Sequence, residues 1–187
     1  MTVISLRETL VATGVEILDA DGPTELTLRE IARRAGVSHG APRRYFPTHN
    51  SLLAAIAFRG LVDLTDRLDP ILTGKQSARD RLISAAVEYV SFAQERPAMF
   101  ELMFRHDLLE GAGSNLRESS LPLFAALQRL TEAAKASDPI TSALSIWTGT
   151  HGVAVLAANR SLALVAPDSD IAALVTATVT DHLPHTR

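Results

Sequence analysis

The sequence predicts an all-α protein: an N-terminal three-helix module holding a helix-turn-helix, then a C-terminal helical ligand-binding and dimerisation domain. Three observations predict the class. Apolar residues recur at helical spacing, and no run alternates with the period of a strand. Turn-forming breaks at Asp21-Gly22-Pro23, Thr73-Gly74, Pro97, Gly111-Ala112-Gly113, Asp138-Pro139 and Ala166-Pro167 cut the chain into helix-sized lengths. Two capping boxes, Ser5 to Glu8 and Thr27 to Glu30, stand at helix starts.

The first helix starts at Ser5, carries Leu6, Leu10, Ile17 and Leu18 on one face, and stops at Asp21-Gly22-Pro23. The second starts at Thr27 and has the stripe Leu28, Ile31, Ala32 and Ala35, which leaves Arg29, Arg33 and Arg34 outside. Gly36 sits where a helix end wants a left-handed residue. Ser38 is placed to cap a short third helix, His39 to Phe46, ended by Pro47. A fourth begins at Thr48 or Asn50, with Leu52, Leu53, Ile56, Leu61 and Leu64 inward. The remainder reads as helices over about 77–95, 97–110, 114–136, 140–165 and 168–182. The domain boundary is expected between 49 and 50, giving 1–49 and 50–187.

Composition narrows the function. There is no cysteine, which excludes disulfides, thiolate metal sites and a cysteine nucleophile. The N-terminus lacks the basic start and long apolar run of a signal peptide, and the most apolar later run is interrupted by His151, Asn159 and Arg160. A cytoplasmic protein without a membrane span is expected. No G-x-S-x-G elbow surrounds Ser145 or any other serine, and no glycine-rich phosphate loop occurs. Nor does His106-Asp107 have the partners of a metal site. Neither an enzyme nor a cofactor is expected.

Charge points to one place. The chain's formal charge is −3, yet residues 26–50 hold five arginines, Arg29, Arg33, Arg34, Arg43 and Arg44, against one acid, Glu30. A confined positive patch on an acidic body suits a local polyanion contact, although a solvated helix face would look the same. A helix-turn-helix lays its second helix in the major groove, with its first residues towards the bases. Gly40 and Ala41 allow close approach there. Arg43 and Arg44 reach guanine or phosphate, and His39 a base edge or phosphate. Ser38, Thr27 and Tyr45 offer hydroxyls to phosphates. Arg29 and His49 complete the candidate DNA-binding set.

Thr27-Leu28-Arg29-Glu30-Ile31-Ala32-Arg33-Arg34-Ala35-Gly36-Val37-Ser38, followed by Tyr45-Phe46-Pro47 and Leu52-Leu53, resembles the DNA-binding domain of the tetracycline-repressor (TetR) family. Two positions depart from the family pattern: Arg43 where an aromatic is common, and His49 where a lysine is common. Further on, Trp147-Thr148-Gly149-Thr150-His151-Gly152 and Pro97 to Phe104 are similar to a tryptophan–histidine–glycine subgroup of the family's C-terminal domains. The resemblance implies a homodimeric, ligand-responsive transcriptional regulator, in most cases a repressor, on a pseudo-palindromic DNA operator.

Candidate ligand contacts are Phe92, Phe100, Met103, Phe104, Trp147 and His151, which could equally be ordinary core. Candidate dimer-interface residues are Ala154, Val155, Ala158 and Leu162 on one helix and Ile171, Leu174, Val175 and Val179 on the next. A small-molecule-binding protein that has lost DNA binding and an operator-binding protein controlled by a partner protein remain as alternatives.

Overall fold

In the computed structural model, which describes residues 5–109, 111 and 116–184 (side chains of 116–119 excepted), Ser5 opens the first helix with both halves of its capping box. The Ser5 hydroxyl accepts the Glu8 N–H at 3.2 Å, and the Glu8 carboxylate accepts the Ser5 N–H at 2.8 Å. The helices follow in order: α1 (Leu6–Asp21), α2 (Leu28–Arg34), α3 (Ala41–Tyr45), α4 (His49–Leu72), α5 (Ala78–Glu95), α6 (Pro97–Met103), α7 (His106–Leu109), α8 (Leu116–Ala133), α9 (Pro139–Ala158), α10 (Ser161–Val165) and α11 (Ile171–Thr180). A 3-10 turn, Pro23–Glu25, joins α1 to α2. Among the described residues there is no strand, so the all-α expectation holds.

The expected helices shift in three places. The segment 97–110 divides into α6 and α7. The segment 140–165 divides into α9 and α10, because Arg160 takes a left-handed conformation, φ +62°. The third helix is shorter than expected, and Gly40 rather than the Ser38 side chain precedes it. His185 and the Ala112-Gly113 break lie outside the described residues.

The contacts divide the chain into two units, Met1–Val62 with Ala98–Leu116, and Asp63–Pro97 with Arg117–Arg187. This division differs from the boundary read from sequence at 49/50. The helix α4 contributes to both units.

In the first unit, α1, α2 and α3 pack on one another. Leu10, Ile17, Ile31, Leu52 and Ile56 form a core closed to solvent. From Leu52 to Ala57 every residue of α4 is buried, as suits a helix surrounded on all sides. Further along α4, Gly60 lets α6 come close: a Cβ there would stand 2.7 Å from Met99 Cγ and closer still to its sulfur.

In the second unit, α5, α9 and α11 pack pairwise. Leu82, Val90, Ala143, Ile146, Val175 and Val179 fill the space between them. Among the described residues one helix, Pro139–Ala158, is long and apolar enough to cross a membrane by length and composition alone. It packs one face against α5 and α11.

Gly60→Ala should therefore destabilise the protein. The overlap with fully buried Met99 costs about 1–3 kcal/mol, against about 1 kcal/mol gained from helix propensity. Urea unfolding of the variant is expected to show a lowered midpoint; an unchanged or raised midpoint would mean that α6 yields freely.

Candidate DNA-contact surface and ligand sites

The helix-turn-helix begins at Thr27, whose hydroxyl accepts the Glu30 N–H at 3.1 Å. The reciprocal half of this capping box does not form. Glu30 instead accepts from Arg33 at 2.8 and 2.6 Å and from Arg34 at 2.7 Å, while the Thr27 N–H turns to Glu25 O. These two guanidiniums hold the Glu30 carboxyl down at about 2. Arg34 also pairs with Asp21 at 2.7 Å and so ties α2 to the end of α1.

The five arginines thus fall into two groups. Arg33 and Arg34 are compensated by Glu30 and Asp21. Arg29, Arg43 and Arg44 are exposed and make no ion pair among the described residues.

After α2 the chain turns through two bonds that Gly36 makes possible. At φ +67° its N–H donates to Arg33 O and the next N–H, of Val37, donates to Ala32 O. This pairing satisfies two carbonyls at the helix end, and a side chain would strain it. Ala41 N–H then donates to Ser38 O, and α3 begins.

Pro42 and Phe46 are the buried residues of this segment, and the Arg7 guanidinium lies 5.2 Å above the Phe46 ring. Ser38, His39, Gly40, Arg43, Arg44 and Tyr45 are all exposed, and Ala41 is half-buried. The turn and helix therefore show solvent a polar, cationic face and give the core a proline and a phenylalanine.

His49 stands at the start of α4 with Nε2 2.8 Å from Leu26 O. A carbonyl only accepts, so Nε2 carries the hydrogen. The ring thereby holds α4 to Leu26, two residues before α2. Its Nδ1 can donate to a phosphate only when the ring is protonated.

The six candidate ligand residues fall in different units. Phe100, Met103 and Phe104 belong to the first, where Phe100 and Met103 are buried and the Phe100 and Phe104 rings lie 5.0 Å apart. Phe92 belongs to the second and is fully buried beneath the guanidiniums of Arg67 and Arg96, at 5.2 and 5.6 Å. Arg67 pairs in turn with Glu88 and Glu95, and Arg96 with Asp63.

Trp147 and His151, four residues apart on α9, meet at Tyr89 of α5, a residue absent from the sequence-derived set. The Tyr89 hydroxyl lies 2.8 Å from His151 Nδ1 and receives the Trp147 indole N–H. An indole N–H can only donate, so the hydroxyl oxygen accepts from Trp147; with His151 Nδ1 it exchanges a second hydrogen bond whose direction follows the imidazole tautomer. Burial pushes the Tyr89 phenol well above its usual range and the His151 pKa below 6.5. A polar-tipped aromatic on the buried stripe of Leu82, Ala86, Tyr89 and Ala93 needs such a partner, and that is the signal in the sequence that could have found it.

A separate cleft of about 390 Å³ lies between α5 and the start of α11, over Val90 and Val175. None of the six candidate ligand residues lines it.

The candidate interface residues need correction. Ala154, Val175 and Val179 are fully buried within the chain and have no surface to offer a partner. Val155 and Leu174 are exposed, while Ala158, Leu162 and Ile171 are half-buried. The phase was misread because α9 is apolar nearly all round, so period alone does not choose a face. The buried face runs through Ala143, Ile146, Thr150 and Ala154. The exposed one carries Ile140, Leu144, Trp147 and Val155. Gly149 packs within the chain, where a Cβ would meet Thr178 Cγ2 at 2.6 Å.

Residues 10–56 match the description "Bacterial regulatory proteins, tetR family", and residues 82–182 match "Tetracyclin repressor-like, C-terminal domain". A protein of unknown function from Rhodococcus sp. RHA1 is 32% identical, with a TM-score of 0.79 over 95% of this chain and 93% of that one. A transcriptional regulator from the same organism is 22% identical, with a TM-score of 0.76 over 95% and 96%. The nucleoid occlusion factor SlmA of Marinobacter nauticus is 26% identical over 124 residues, 66% of this chain; the match spans 63% of that protein's length.

Tyr89→Phe should cost about 1–2 kcal/mol, because it leaves the Trp147 N–H and His151 Nδ1 without their shared partner. Wild-type stability in urea would show that the contact does not hold α9 to α5. The His151 contribution has a definite sign. Its folded pKa lies below the unfolded value, so its stabilisation is present above about pH 6.5 and is lost as pH falls through the folded pKa. Between pH 7.5 and 5 the wild type should lose more stability than His151→Asn; an equal loss would contradict this.

Proposed function

The chain belongs to the tetR family of bacterial regulatory proteins, and from that membership we propose that it is a ligand-responsive repressor that binds a pseudo-palindromic operator as a homodimer. Regulators of this family bind DNA operators and are typically ligand-responsive repressors. One observation carries the reading for this chain. Three exposed arginines without an acidic partner among the described residues, Arg29 on α2 and Arg43 and Arg44 on α3, accompany a short helix anchored by buried Pro42 and Phe46. Thr27, Ser38, His39, Gly40, Ala41 and Tyr45 complete the DNA-facing set, with His49 contributing when protonated. A cytoplasmic location goes with this function.

The homodimer is supported by the exposed apolar faces of α9 and α11. Leu144 and Trp147 are more than 40% exposed, and Leu174 is 38% exposed. Large apolar side chains in that position favour a second copy over water. Two copies related by a two-fold axis present two recognition helices to half-sites about one DNA turn apart.

Induction follows from linkage. A small apolar or amphipathic effector that binds the non-DNA state more tightly weakens operator binding, and DNA weakens effector binding by the same factor. The coupling runs along α4, whose residues are shared between the two units. Trp147 and His151 act here as braces of α9 and not as effector contacts.

Three outcomes are expected. On DNA flanking its own gene, the protein should bind tightly, with affinity falling steeply as salt rises. Arg29→Ala, Arg43→Ala and Arg44→Ala should each reduce the slope of log affinity against log salt by about 0.9. Arg33→Ala and Arg34→Ala should leave the slope nearly unaltered. Equal effects from all five would contradict the division of the arginines. Leu174→Glu should shift the protein to monomer in sedimentation at micromolar concentration; a persistent dimer would place the interface elsewhere.

The likeness to a nucleoid occlusion factor favours one second reading, in which the DNA-bound chain acts in nucleoid occlusion. Binding sites spread around the chromosome, and not confined to one promoter, would favour it.

A further inference from the structure

We propose that the cleft between α5 and α11 binds a small cationic amphiphile; the inference rests on the reading of the chain as a ligand-responsive regulator. Val87, Val90, Ser91 and Gln94 line one wall and share a single face of α5, at spacing i, i+3, i+4 and i+7. Ile171 and Val175 line the other wall, one turn apart on α11. Val90 and Val175 are closed to solvent and form an apolar floor. At the rim, the Ser91 hydroxyl and the Gln94 carboxamide make no hydrogen bond with another described residue. An apolar floor with a few uncommitted polar groups at its edge suits a small amphiphile. Its volume of about 390 Å³ lies near the lower end for ligand sites, which fits a short tail and not a long acyl chain.

The charge of the head group is decided at the start of α11. The helix N-terminus carries about half a positive charge. Asp170, which also lines the cleft, places a full negative charge over it and accepts the Ala173 N–H at 3.1 Å. The balance is negative, and one of the amides of the first turn, that of Ala173, is already taken. No lysine or arginine lines the cleft. An anionic head therefore meets a like charge with only the neutral Ser91 and Gln94 donors to set against it, whereas a cation meets the carboxylate together with the oxygens of those two side chains. Because Asp170 is exposed, water and salt screen the contact. The apolar floor supplies most of the affinity and the charge a modest selectivity.

The test is calorimetric titration of the full chain with octyltrimethylammonium, octanoate and octanol, each below its micelle concentration. Octyltrimethylammonium should bind about 5-fold or more tighter than octanoate, the size of a screened ion contact. Asp170→Asn keeps the helix cap and should erase that preference. Ala172→Phe, at an exposed position of the rim, should abolish binding of the cation, with thermal unfolding showing that both variants fold. No binding of the cation at millimolar concentration, equal binding of cation and anion, or binding untouched by Ala172→Phe would each overturn the proposal. Operator affinity measured with the cleft saturated separates the two readings. If it is unchanged while the titrations behave as expected, the cleft stands and the inducer reading falls. If no operator is bound at all, the DNA reading falls and the titrations still decide the cleft.

Discussion

A five-residue helix has no stability of its own, and the N-terminal half of this protein is built around that constraint. Isolated helices shorter than about 12 residues are marginal in water even with favourable sequences. The helix α3 has five residues, begins with no side-chain cap, and places its arginines outward. It is held by what surrounds it: the two-bond turn at Gly36, the burial of Pro42 and Phe46, and Arg7 over the Phe46 ring. Because tertiary contacts fix the backbone, the outward positions are released from structural duty. They carry charge instead, and three of the arginines nearby carry it without an acidic partner.

Among the described residues, charge compensation then divides the arginines of this region into paired and unpaired. Glu30 is the pivot. It gives up half of its capping box to grip Arg33 and Arg34 on its own helix, and Arg34, paired also with Asp21, ties α2 to α1. His49 is divided in the same way, with one ring nitrogen committed to Leu26 O and the other able to donate to phosphate only as a cation. In the second unit, Tyr89 plays the equivalent role for α9. It engages Trp147 and His151 together, so the conspicuous Trp-His spacing reads as a lock between helices.

Much of the first unit was legible in the sequence. Capping boxes, the Gly36 turn and the apolar stripes are local signals, and local signals fixed the starts of α1 and α2 and the face exposed by α3. The sequence places Arg29, Arg43 and Arg44, but not Arg33 and Arg34, in the DNA-facing set; it does not hold the physical reason, which lies in three-dimensional partners: Asp21, thirteen residues away from Arg34, and a choice by Glu30 among bonds of similar reach. The second unit was harder for a different reason. The helix α9 is apolar on every side, so its period does not say which face is core, and Ala154, Val175 and Val179 were assigned to a partner when the chain itself buries them. The cleft was invisible for the same cause. Its walls come from residues some eighty positions apart, none of which is chemically unusual.

The most direct test of the proposed two-fold, base-reading role is selection of bound fragments from a random DNA pool, followed by sequencing. The proposed homodimeric repressor predicts an enriched pseudo-palindrome whose half-sites lie about one helical turn apart or slightly more. Enrichment without any symmetric motif, or none beyond what charge alone retains, would contradict it.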